Sequence, residues 1–217
     1  MKKSILLLLA ITLSFTSFAQ SKLTEGKVVS VQTMSSNDAD TSAQLAMIGD
    51  VVTTTYFKDT KSRAEVSSPM TGDVVAIADM ESKDVLMLMD DPMRGKNYMM
   101  VNADQAQQQI ESVEVTERND TKTVLGHVCK GYDVKVSAGG QDLNVLVYAT
   151  ENISAYSQQS QMFDNKIKGF PMYIKMDMDQ MGKNITIENK VTEIKEESVS
   201  NDKFNMTPPE GYSEMKK

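Results

Sequence analysis

The chain has 217 residues, with 23 Lys and Arg against 30 Asp and Glu, one Cys, no Trp and 17 Met. A net charge of −7 provides no basic stripe for nucleic acid, so nucleic-acid binding is not expected. The single Cys excludes an intramolecular disulfide, so stability must come from an apolar core, and the many Met, which adapt to irregular space, read either as core filling or as the lining of a plastic apolar cavity.

The first residues read as an export signal. Lys2 and Lys3 precede an apolar run from Ile5 to Leu13 and a Ser17-Phe18-Ala19 end, the pattern of a signal peptide spanning residues 1–19. That run falls short of the roughly 20 residues a spanning helix needs, and no later segment is longer, so the protein is expected not to be membrane-spanning. Gln20 is the expected mature N-terminus, in the periplasm or secreted. It is not Cys, so no lipid anchor is expected. Residues 20–212 read as one domain with a sizeable core, and 213–217 as a mobile C-terminal tail.

From residue 23 onward, apolar residues alternate with period two, and turn residues interrupt the pattern at short intervals. Strands are predicted over 23–34, 51–58, 62–68, 73–79, 84–89, 96–101, 112–118, 127–137, 141–149, 171–180 and 184–196. Hairpins taken in chain order are the simplest way to connect them. Three short helices interrupt the series. One spans 40–48, with Asp40 able to cap it and Leu45 and Ile48 on one face. A second spans 102–110, with Asn102 and Gln105 resembling a capping box. The third, 154–163, is rich in Ser and Gln and reads equally as a loop.

The run Tyr173-Ile-Lys-Met-Asp-Met-Asp-Gln-Met181 alternates thioethers with carboxylates. On a strand, Ile174, Met176 and Met178 share one face while Asp177 and Asp179 share the other, so the two ligand types cannot meet on one metal. The spacing of an EF-hand calcium loop is absent. Paired thioethers, Met176 with Met178 or Met87 with Met89, could hold copper(I), but no His or Cys cluster stands beside them. No metal and no cofactor are therefore expected.

His127 and Cys129 are the only His and the only Cys. Standing two residues apart, they could form a nucleophile pair. The surrounding Val128, Tyr132 and Val134 read as structural, no orienting third group is identifiable, and HExxH, GxSxG and phosphate-cradling loops are missing. Catalysis is not expected. Four Asn-x-Ser/Thr sequons, at Asn119, Asn152, Asn184 and Asn205, would matter only in a eukaryotic secretory pathway.

Several motifs together resemble a family of uncharacterised exported bacterial domains placed near the LolA/LolB-like lipoprotein-carrier fold. They are Thr55-Tyr-Phe-Lys58 leading to Lys61-Ser-Arg63, then Ile77-Ala-Asp79, then the stretch from Lys122 to Tyr132, and the ending Phe204…Pro208-Pro-Glu-Gly-Tyr212. The resemblance implies a mainly β, α+β fold: a strongly curved antiparallel sheet, an unclosed barrel with short helices plugging its concave side. It also implies a cavity for a lipid or acyl chain. The expected function is thus an exported, non-enzymatic, carrier-like binding protein. Its apolar ligand would lie against Met87, Met89, Met176 and Met178, although the pattern does not decide whether Leu86 and Leu88 or Met87 and Met89 face inward. The rival expectation is an envelope protein-interaction domain with a filled core and no small-molecule ligand.

Overall fold

A computed structural model describes residues 22–68, 72–102, 112–138, 141–157, 159–160, 163, 166–180 and 182–215. The elements in chain order are β1 (Glu25–Ser36), α1 (Ala39–Ile48), β2 (Val51–Lys58), β3 (Lys61–Ser68), β4 (Gly72–Asp79), β5 (Asp84–Asp91), β6 (Gly95–Asn102), β7 (Ser112–Val124), β8 (His127–Ala138), β9 (Gln141–Thr150), β10 (Phe170–Gln180) and β11 (Lys183–Lys195). A 3-10 turn, Asn201–Phe204, and a two-residue strand, β12 (Ser213–Glu214), follow. The first eleven strands lie within about two residues of where the period-two pattern predicts them, except at the end of β7.

All strands belong to one sheet, ordered β12-β6-β5-β4-β3-β2-β1-β11-β10-β9-β8-β7. Two runs of hairpins, β2 to β6 and β7 to β11, are joined through β1, which pairs antiparallel with both β2 and β11. The order ends at β12 and β7, which do not pair with each other among the described residues, so the barrel is not closed.

Residues directly opposite one another in an antiparallel pair share a face, which lets one face be traced across the sheet. Ser30 stands opposite Thr53, Thr53 opposite Val66, Val66 opposite Val74 and Val74 opposite Met89. In the other direction Gln32 stands opposite Asn189, Asn189 opposite Ile174 and Ile174 opposite Val147. The segment between β9 and β10 packs against this face at both ends of the sheet. Tyr156 lies with Ala78, Val85, Met87 and Val101 of β4 to β6. Phe163 and Ile167 lie with Tyr132, Val134, Val145 and Val147 of β8 and β9. A flat sheet spaces strands about 4.8 Å apart, so one short segment reaches both ends only because the sheet curls around it. The traced face is therefore concave, and the described residues between β9 and β10 form its plug. Gly169, at φ +92°, returns the plug into β10; a side chain there would strike the Thr150 carbonyl oxygen.

The convex face is covered over β4 and β5 by the chain after β11. Val199 and Phe204 pack on Ile77, Leu86 and Leu88, with Tyr56, Tyr98, Met206 and Tyr212 around them. Glu25 secures the start of this strap by accepting from the Val199 amide at 2.7 Å while pairing with Lys58 at 3.2 Å.

The structure revises several expectations. Helix α1 is capped by Asp38 rather than Asp40: the Asp38 carboxylate accepts from both the amide and the hydroxyl of Thr41. The predicted helix 102–110 begins at Asn102, which ends β6, and its remainder lies outside the described residues. The predicted helix 154–163 is irregular over 154–157 and helical at 159–160, its other positions except Phe163 lying outside the described residues. The described part of the plug is thus mostly irregular chain, and the fold is mainly β rather than α+β. Strand β7 runs on to Val124, past the predicted end at 118, through a bulge between Glu117 and Thr121. Apolar alternation stops there because Lys130–Glu117 and Arg118–Asp133 ion pairs occupy that surface instead. Finally, the expected tail 213–217 is attached at its start: Ser213 and Glu214 pair in parallel with Asn97 and Tyr98, and the Met215 amide donates to the Tyr98 carbonyl at 2.9 Å. Residues 1–21, and with them the expected signal peptide, lie outside the described residues.

Candidate functional site

A cavity of about 230 Å³ lies on the concave face between the sheet and its plug. One wall comes from β1 to β4, the opposite wall from β10 and β11, and the floor from Tyr156, Ser157 and Gln159. Small side chains open the space. The inward positions of β3 are Ser62, Ala64 and Val66, facing Ala78, Ala76 and Val74 of β4. Elsewhere on the same face, Tyr132, Val147 and Ile174 fill the interior against Phe163.

The plug is hydrogen-bonded to this wall, the Tyr156 amide donating to Ser62 Oγ at 2.9 Å. Ser157 Oγ donates to Gln159 Oε1 at 2.5 Å beside it. The Tyr156 hydroxyl is buried with no hydrogen-bond partner among the described residues, and burial raises its pKa far above the usual phenol range. It stays a neutral phenol. Among the described lining residues none is charged, and Ser, Thr, Asn and Gln alternate with Ala, Val, Ile and Phe.

The four methionines singled out from the sequence lie on the concave face by register. Met87 stands opposite Ala76 and Met99, Met89 opposite Val74 and Asn97, Met176 opposite Val145 and Ile187, and Met178 opposite Ile185. All four are half-buried, and none is among the residues lining the cavity; they flank it on either side. Leu86 and Leu88 point the other way, under the strap. The lining escaped sequence reasoning because Ala and Ser in a strand give little apolar signal. The cue was there all the same: small residues at every second position of both β3 and β4.

His127 and Cys129 do not form a nucleophile pair. The Cys129 thiol donates to the His127 backbone carbonyl at 3.4 Å, and it is fully buried among Val28, Phe57 and Met172. Burial pushes the thiol pKa up to about 11, opposite to what activates a cysteine. Burial lowers the pKa of His127, whose Nδ1 has no hydrogen-bond partner among the described residues. Among the described residues, no group of three His, Cys, Asp or Glu is placed to hold a metal, and no helix is long and apolar enough to cross a membrane.

Protein-family models give no match to the chain, and neither do curated proteins. Among solved structures, it is similar to PNGF-II in two crystal forms. These match with TM-scores of 0.53 and 0.52 at 14% identity, covering 88% of this chain and 31% and 32% of the PNGF-II chains. The chain thus spans about a third of the PNGF-II length, and at that identity the likeness concerns the fold alone. A fainter likeness is to the Mycobacterium tuberculosis lipoprotein LppX, at 9% identity and a TM-score of 0.34, covering 81% of this chain and 89% of that one. At that score it carries no argument.

Proposed function

We propose that this is an exported, non-enzymatic binding protein of the periplasm or the extracellular space, holding an apolar chain of a lipid in its half-barrel. The observation that carries the reading is the uncharged cavity on the concave face, with Met and Ile side chains on the same face beside it. Ligand sites for whole small molecules run to roughly 300–1,000 Å³. The cavity is smaller, about 230 Å³, so it takes one region of such a ligand. The rest would lie along the groove, where Met176 and Met178 on one side and Met87 and Met89 on the other repack readily. Export rests on the N-terminal pattern of Lys2, Lys3, the apolar run and Ser17-Phe18-Ala19.

Native mass spectrometry of the protein recovered from its host envelope tests the reading. The expected result is a bound species whose mass identifies a lipid, on a chain beginning at Gln20. A ligand-free protein, after recovery under conditions that keep lipid carriers loaded, would contradict the carrier function. An intact Met1 on protein found in the cytoplasm would contradict export.

A further inference from the structure

Building on that reading, we infer that the region of the ligand seated in the cavity is uncharged and carries a hydrogen-bonding oxygen, as in the ester, amide or alcohol region of a neutral lipid. The lining combines two features. Its polar groups, among them Ser30, Gln32, Thr53, Thr55 and Ser62, are hydroxyls and amides able both to donate and to accept. No described lining residue is Lys, Arg, His, Asp or Glu. A carboxylate or phosphate seated there would lose its hydration without meeting a counter-charge, which strongly disfavours it.

Two cations that adjoin the lining in sequence are directed elsewhere. Arg63 alternates with Ser62 and Ala64, so it emerges on the convex face, where it pairs with Glu65 and donates to the Lys203 carbonyl. Lys175 alternates with Ile174 and pairs with Asp177. A wholly polar ligand fits no better than an ion. Ala64, Val66, Ala76 and Ile174 make up the same walls and offer such a ligand nothing to bond. Two of the groups that would bond a neutral oxygen are buried: Ser62 is 3% and Thr55 8% exposed. Ser62 Oγ accepts from the plug, which leaves its own proton to donate to a ligand.

The test is calorimetric titration with three ligands of equal chain length: monodecanoylglycerol, decanoate at pH 8 and decyl phosphate. The ester is expected to bind at least about tenfold more tightly than either anion, the discrimination an unpaired buried charge imposes. The Gln32→Lys variant, which places an ammonium in the wall, is expected to narrow or reverse that ranking. Equal or tighter binding of decanoate by the wild-type protein would overturn the inference and leave the apolar-chain reading standing. Failure of all three to bind would overturn the reading itself.

Discussion

The backbone amide of Tyr156 donates to the hydroxyl of Ser62 at 2.9 Å, joining the plug to the middle of the concave wall across 94 residues of chain. This hydrogen bond ties the floor of the cavity directly to its wall. Ser62→Ala leaves a half-buried amide without its acceptor and should cost about 1–3 kcal/mol. It should also raise hydrogen exchange at the Tyr156 amide. Urea melts and exchange measured together check this, and unchanged exchange would mean that this bond does not hold the plug at Tyr156.

Cys129 gives a second prediction. With its thiol fully buried and its pKa pushed up to about 11, it should not react with a thiol-selective reagent at pH 7 in the folded protein. It should become reactive in denaturant. Replacing it by Ser places a hydroxyl among Val28, Phe57 and Met172 and should cost about 1–3 kcal/mol. Fast labelling of the native protein would contradict the placement.

The strap across the convex face should contribute a large share of stability through one ring. Phe204 is 5% exposed and packs on Ile77, Leu86 and Leu88. Phe204→Ala should cost about 3–5 kcal/mol, as large-to-small changes in well-packed cores do. Thermal denaturation measures it. A loss below about 1 kcal/mol would mean that the strap rests on the sheet without being packed into it.

Acid should loosen α1. The Thr41 hydroxyl, the Lys183 ammonium and the Thr41 amide all donate to the Asp38 carboxyl and hold its pKa well below the usual carboxylate range. Because the folded pKa is depressed, the unfolded chain takes up the proton first. The contribution is fully present above the ordinary carboxylate pKa of about 4 and is lost as pH falls from there through the folded value. Asp38→Asn keeps a capping side chain but removes the charge. The stability advantage of wild type over this variant should therefore be largest near pH 7 and shrink below about pH 4. Melts at pH 7 and pH 3 check the sign, and high salt should reduce the difference because the Lys183 pair is partly exposed.

Within β10, Met176→Asp should cost several kcal/mol, because it buries a charge against Val145 and Ile187 on the concave side. Asp177→Asn should stay within about 0.5 kcal/mol. Its carboxylate is on the exposed face, bonded to Thr186 Oγ1 at 2.5 Å. Equal tolerance of the two changes would mean that β10 lacks a buried face.

Period two made the eleven long strands readable because each has one face against the core, and Ile174-x-Met176-x-Met178 shows how little else the reading needs. It could not reveal that β1 joins the two runs of hairpins. That depends on which edges meet in space, and Ser30 carries no mark of its two partners, Thr53 and Val191. The Met pairs drew attention as ligand candidates because thioethers stand out chemically. A cavity, however, is made by the atoms that are missing, and Ala64 and Ala76 are silent in a hydrophobicity pattern. The end of β7 was illegible for a related reason: Arg118, Asp120 and Asp133 hold it by charge, and charged runs read as loops.

The most direct test of the account is to fill the cavity. Ala64 points into it from β3, and Ala64→Leu extends a side chain into the 230 Å³ space while leaving the surrounding strands and the plug their hydrogen bonds. The measurement is the affinity of monodecanoylglycerol for this variant beside the wild type, with a thermal melt to confirm that both are folded. At least about a tenfold loss of affinity is expected with little change in melting, since steric exclusion from a shaped site costs binding and not folding. Undiminished binding by a folded Ala64→Leu protein would show that the ligand binds elsewhere and would overturn the assignment of this cavity as its site.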